Sequence, residues 1–300
     1  MPVGAALAFV VFALSAPLGP LEAQLVTPGT VILDAVGGVI ERDIAAGTRI
    51  PVTLDRIAPM MVAATIAAED QRFRSHPGID PFAMARAAVN VRSNPSGAST
   101  ITQQLVRGTY LAGVDLPLPL RKAREAVLSL RLEASTSKDE VLEAYLNEIY
   151  YGRGAYGVEA GARAYFGVAA ADLDLAQAAF LAGLPRSPST YDSPEGAADA
   201  RARQAYVLDR MVATSGTTTA QAEAAGALDL RVAPAVVPLA PHLAAFVYDE
   251  LSRVLPPEVV AGGGLVVETT LEAGVQREAE ASVVRRLDDL REHRAGSAAV

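Results

Sequence analysis

The 300-residue chain has no cysteine and no tryptophan, and only nine tyrosines and seven phenylalanines. Without cysteine there is no disulfide framework, no thiolate nucleophile and no thiolate zinc site. The three histidines, His76, His242 and His293, are too scattered to share a metal. Residues 3–18 carry no charge, yet this run is shorter than the about 20 apolar residues a membrane span needs. Counting on to Leu21 brings it into range. No Lys or Arg precedes it, so flanking charge gives no orientation. A membrane anchor and a cleaved signal peptide both fit.

The length allows one large domain or two small ones. The net charge of −8 is unevenly spread. Residues 69–131 hold nine Lys/Arg against five Asp/Glu, a local balance of +4 that leaves −12 for the remainder. A bound anion would need positive charge there, and an ordinary solvated basic face fits equally well.

One stretch organises the rest. Residues 69–78 read Glu69-Asp70-Gln71-Arg72-Phe73-Arg74-Ser75-His76-Pro77-Gly78, after an apolar run at 61–68. That run has helical composition, Pro59 suits a helix start and Pro77-Gly78 closes the segment. Glu69 and Asp70 are therefore expected late in a mostly buried helix, among apolar neighbours. A carboxylate so placed suits general acid or base work near neutral pH, whereas a pair at a solvated helix end would be inert. Next comes Gly97-Ala98-Ser99-Thr100-Ile101-Thr102-Gln103-Gln104-Leu105-Val106-Arg107, whose hydroxyl and amide side chains can face an oxygen-rich ligand. Arg121-Lys122-Ala123-Arg124-Glu125 and Lys138-Asp139-Glu140-Val141-Leu142-Glu143-Ala144-Tyr145-Leu146-Asn147 complete the set.

In this order the four blocks resemble the peptidoglycan glycosyltransferases, glycosyltransferase family 51, of class A penicillin-binding proteins. The family patterns are Glu-Asp-x-x-Phe-x-x-His-x-Gly, Gly-x-Ser-Thr-[Ile/Leu]-Thr-Gln-Gln, Arg-Lys-x-x-Glu and Lys-x-x-[Ile/Val]-Leu-x-x-Tyr-Leu-Asn, and each is matched. One alone is weak; four in sequence are specific. The resemblance runs from about residue 28 to the C-terminus. It implies a mainly α, lysozyme-like fold with a larger and a smaller lobe, a short N-terminal β-hairpin and a C-terminal α/β linker stub. It also implies polymerisation of lipid-linked disaccharide-pentapeptide onto a growing glycan strand, with release of polyprenyl diphosphate.

By the same resemblance Glu69 is the base and Glu125 the second carboxylate, orienting or assisting the leaving diphosphate. Arg107 and Lys122 meet the diphosphate and Arg121 supports them. Ser99, Thr100, Gln103 and Gln104 line the sugar and phosphate subsites. Asp70, Phe73, His76 and Gly97 complete the substrate-binding set. No cofactor is required, and a divalent cation such as Mg2+ fits at the diphosphate. The partners implied are the bacterial plasma membrane and other cell-wall synthesis proteins, with no nucleic acid. A single N-terminal anchor would hold the catalytic domain outside the cytoplasm. Family members often carry an arginine between the second and third blocks; residues 108–120 have none. Two rivals stay open: a lysozyme-like hydrolase using Glu69 as acid and water as acceptor, and a non-catalytic cell-wall scaffold.

The expected layout is an anchor or signal at 1–24, a hairpin linker at 25–57, the catalytic domain at 58–225, and at 226–300 a linker leading to a transpeptidase domain that would begin where the sequence stops. The hairpin strands at 30–34 and 39–42 flank Gly37-Gly38. Helices are expected at 81–92 (Phe82, Ala85 and Val89 on one face), 121–134, 138–151, 175–184, 201–211, 241–255 and 272–293. Residues 108–120 read as an apolar loop, near the membrane or buried. Gln177 stands where relatives often have Glu. The strand at 265–270 is expected to lack its normal partner. Ser135-Thr136-Ser137-Lys138 spells Ser-x-x-Lys, but no Ser-x-Asn or Lys-Thr-Gly triplet accompanies it.

Overall fold

The structure is a computed structural model and describes residues 18–21, 25, 30–37, 39–42, 48–89, 99–191, 193, 195–233, 241–256, 259–260 and 265–289. The chain forms two compact units, Met1–Val26 with Arg49–Pro234, and Thr27–Thr48 with Ala235–Val300. The described residues are mainly helical.

In the second unit, β1 (Val31–Leu33) and β2 (Val39–Arg42) form the expected hairpin, with a register shift between Ile32 and Leu33. Asp34 builds its turn, accepting the Val36 N–H on its side chain at 3.0 Å. The strand at 265–270 is not left alone. As β6 (Val266–Glu268) it pairs parallel with β1, giving the order β2–β1–β6. Ile32, Ile40 and Val247 are buried together, with Leu243, Leu251 and Val267 packed against them. Val247 comes from α11 (Pro241–Val254); α12 (Ala273–Asp289) ends the described chain.

The first unit is built on three helices, α1 (Pro59–Glu69), α7 (Leu175–Gly183) and α9 (Ala197–Thr214), packed on one another. In α7 all but two residues are buried, because Leu-Ala-Gln-Ala-Ala-Phe-Leu-Ala-Gly is apolar nearly all round. Its alanines let neighbouring axes approach closely. Asp174 and Gln177 form a capping box at its start, a task that Gln performs as Glu does. Beside this core, α3 (Ile101–Gly108) packs against α4 (Leu118–Ser135) and α5 (Lys138–Glu148).

Several boundaries differ from the sequence pattern. Helix α4 begins three residues early, since Pro119 falls in the first turn, where no N–H is missed. Helix α5 ends at Glu148, and Tyr150–Gly152 forms β4, paired with β5 (Ala155–Tyr156); β3 is the short strand Thr48–Arg49 before α1. The cause is local. Asn147 spends its amide on the backbone of Val52, accepting and donating at 3.0 and 2.9 Å, and Gly152, Arg153 and Gly154 all take positive φ. Helix α6 (Val158–Phe166) follows, then α8 (Pro188–Tyr191) after α7, and α10 (Thr219–Ala227). In α2 (Pro81–Val89), Phe82 and Ala85 are exposed rather than packed; the Arg72 guanidinium lies 4.3 Å over the Phe82 ring. The segment before α4 is mixed: Leu111 is buried, Val114 is exposed, and Tyr110 donates to Gly19 O at 2.9 Å. No described helix is long and apolar enough to cross a membrane; residues 1–17 lie outside the described set.

Candidate active site

Glu69 is the last residue of α1, and its carboxylate is held from both sides. Oε2 accepts from Gln104 Nε2 at 2.8 Å. Oε1 lies 3.3 Å from Arg203 Nη2. The Tyr145 hydroxyl donates to Gln104 Oε1 at 3.3 Å, so the amide oxygen faces the phenol and its NH2 faces Glu69. Burial, and then the negative charge of Glu69, push the Tyr145 phenol well above its ordinary value, which keeps it a donor. Tyr151, fully buried, is also pushed up, by burial first and Glu69 second. Glu69 thus has an amide and a guanidinium on its oxygens, where the sequence pattern implied apolar neighbours.

Asp70, one residue on, faces the interior. His76 Nε2 lies 3.0 and 2.9 Å from its two oxygens, and the Ile101 N–H donates to Oδ2 at 3.1 Å. His76 Nδ1 accepts from the Gly78 N–H at 3.2 Å, so the ring hydrogen sits on Nε2 and points at Asp70. Asp70 therefore ties the first block to the N-terminus of α3, where a carboxylate is favoured by the free N–H groups and the helix dipole. Gly78 closes this segment at φ +100°, and a Cβ there would stand 2.5 Å from Ser129 O.

The second block divides its labour. Thr100 and Gln103 are buried and form a capping box on α3, and the Thr100 hydroxyl also donates to Gly78 O at 2.6 Å. The Thr100 hydroxyl and the Gln103 side-chain oxygen are committed to the helix start rather than open to a ligand. Gln104 and Arg107, one turn apart, share another face. Arg107 is exposed, and its positive charge works against the rise at Tyr145. Ser99, before the helix, accepts from Lys122 Nζ at 3.2 Å.

On α4, Lys122 Nζ is 2.6 Å from Glu125 Oε2 and Arg121 Nε is 4.0 Å from Glu125 Oε1. Glu125 is fully buried while both cations stay partly exposed. Glu125 Oε1 has no hydrogen-bond partner among the described residues. The third block is thus a buried carboxylate beneath two cationic heads.

Residues 99–107 join the two carboxylates, reaching Glu69 through Gln104 and Glu125 through Ser99 and Lys122. Asp70, Phe73 and His76 stand behind them; Phe73 is fully buried under the Lys138 ammonium, 4.3 Å from its ring. Gly97 lies outside the described residues. Among the described residues no group of three or more His, Asp or Glu side chains is arranged to hold a metal ion. Arg203 belongs to none of the four blocks. Its signal was an arginine lying on the buried stripe of α9 formed by Ala200, Gln204, Val207, Leu208 and Met211.

Relatives share this chain's sequence over most of its length. Penicillin-binding protein 1A of Escherichia coli K12 is 41% identical over 241 residues, which is 78% of this chain and 28% of that protein. Penicillin-binding protein 2D of Bacillus subtilis is 38% identical over 246 residues, 79% of this chain and 35% of that protein. The chain therefore spans about a third of the length of these relatives. The crystal structure of penicillin-binding protein 1A from Haemophilus influenzae shares the fold, with a TM-score of 0.53 and 24% identity over 88% of this chain and 30% of that one. Residues 37–212, more than half of the chain, match the Transglycosylase family model, and the chain belongs to that family.

Proposed function

We propose that this chain is a peptidoglycan glycosyltransferase that polymerises lipid-linked disaccharide-pentapeptide into glycan strands. The observation that carries the reading is the single segment 99–107 holding one carboxylate, Glu69, through Gln104, and reaching a second, Glu125, through Ser99 and Lys122. Glu69 removes the proton from the acceptor sugar's 4-hydroxyl as the O4–C1 bond forms. The donor's C1–O bond to the diphosphate breaks, and polyprenyl diphosphate leaves. Arg107 and Lys122 meet its developing charge, Arg121 supports them, and Glu125 orients Lys122. Arginine suits the diphosphate because its fork binds two oxygens at once. Ser99 and Gln104 present polar groups toward sugar and phosphate. Thr100, Gln103, Asp70, Phe73 and His76 serve by fixing the segment.

A divalent cation such as Mg2+ would accompany the diphosphate as part of the substrate's charge, with no resident cofactor in the step. Attachment through the N-terminal apolar segment would place the unit at the outer face of the plasma membrane, where lipid-linked donor and other cell-wall synthesis proteins are found. Product analysis with labelled lipid-linked disaccharide-pentapeptide tests the proposal. Long glycan strands are expected. Shortening of pre-formed strands would make it a hydrolase, and no turnover under any condition would leave a scaffold.

A further inference from the structure

Arg203 approaches Glu69 from a helix that begins 128 residues after it, across the packed faces of α1 and α9. The approach is built rather than incidental. The guanidinium is stacked over the Tyr206 ring at 4.5 Å. Its stem passes over Gly183 at the end of α7, where a Cβ would lie 2.9 Å from Arg203 Cγ. The side chains of Arg203 and Glu69 are only 11% and 15% exposed. Three helices thus combine to bring one cation to one oxygen of the carboxylate, and Gln104 takes the other.

We infer that Arg203 is a positioning residue for the reaction proposed above, an inference that rests on that reading. It holds Oε1 so that the carboxylate plane is fixed between guanidinium and amide. A base fixed in this way meets the acceptor hydroxyl in one geometry, and misplacement by about 1 Å can cost up to about 100-fold in rate. Arg203 does not touch the reacting atoms and acts through Glu69. Its loss should therefore lower kcat and leave donor affinity nearly intact.

The test uses the 300-residue chain and Arg203→Met, which keeps the stem over Gly183 and removes the guanidinium. With labelled lipid-linked disaccharide-pentapeptide, kcat should fall about 10- to 100-fold while KM stays within about twofold. Arg203→Lys should recover part of the loss. In a Glu69→Gln background, Arg203→Met should cost nothing further, since no carboxylate remains to be held. Wild-type kcat in Arg203→Met, or the same fold loss in both backgrounds, would overturn the proposal; the second result marks a role in the fold alone. A readout independent of turnover is the carboxyl carbon resonance of 13C-labelled glutamate, with Glu69 identified by the signal that Glu69→Gln removes. That signal should move in Arg203→Met and return toward its place in Arg203→Lys. An unmoved signal overturns the contact whatever the chain catalyses. A moved signal in a chain that makes no glycan leaves the contact standing and sinks the catalytic reading, and with it the positioning role.

Discussion

The carboxylate of Asp70 takes the first backbone N–H of α3, 3.1 Å from the nitrogen of Ile101, while its sequence neighbour Glu69 takes the side chain of Gln104 one turn further along the same helix. Two adjacent acids thus divide the work: one seats the helix, the other is held by it. Asp70→Asn keeps one acceptor where the His76 ring and the Ile101 N–H now compete for two, and turns an NH2 toward one of them. Stability should fall by about 1–3 kcal/mol, the cost of a buried hydrogen bond to a charged group. Urea denaturation measures it. An unchanged midpoint would mean that Asp70 does not seat α3.

Gly78 is the second point where this segment cannot yield. At φ +100°, with a Cβ only 2.5 Å from the backbone oxygen of Ser129, alanine brings both strain and a clash that no side chain can relieve. Gly78→Ala should cost on the order of 3 kcal/mol. It should also disturb the start of α3, because Gly78 O is the acceptor for Thr100. A thermal midpoint within about one degree of wild type would contradict this.

The two raised tyrosines set a pH limit. Tyr145 and Tyr151 are both held in the phenol form by burial first and by the charge of Glu69 second. In the unfolded chain each ionises near pH 10. The unfolded state therefore loses protons that the folded state retains, and stability present below about pH 10 declines as the pH rises above it. In a spectrophotometric titration, fewer tyrosines should ionise near pH 10 in the folded protein than in urea. Identical curves would show that the pair is not buried as described.

Ser135 and Lys138 spell a penicillin-reactive pair but do not form one. The Ser135 hydroxyl donates back to Leu132 O at 3.2 Å, and Lys138 Nζ lies 2.6 Å from Glu133 Oε2. Fluorescent penicillin should give no covalent band on this 300-residue chain. A band abolished by Ser135→Ala would overturn that assignment.

The four blocks were legible because each is contiguous. A helix end carrying two acids, a capped helix rich in hydroxyls and amides, and a cationic turn above a carboxylate can all be read from neighbouring residues. What stayed hidden depends on distant segments. Thr100 and Gln103 carry ligand-like groups, yet the helix start consumes the hydroxyl of one and the amide oxygen of the other. Arg203 reaches Glu69 only because α1, α7 and α9 pack with Gly183 between them. Helix α5 stops at Glu148 because Asn147 binds Val52, 95 residues away in sequence. The strand at 266–268 looked unpartnered because its partner, β1, lies at the other end of the chain. Local pattern gives elements and motifs; long-range pairing decides which polar groups remain free for a ligand.

The central claim is that Glu69 is the base of a glycan-polymerising site. Glu69→Gln keeps the size of the side chain and an acceptor for Gln104, and removes the group that takes the proton. Polymerisation of labelled lipid-linked disaccharide-pentapeptide, followed by strand length and rate, should fall at least about 100-fold, the scale of general base catalysis. Strands made at the wild-type rate by Glu69→Gln would contradict the account.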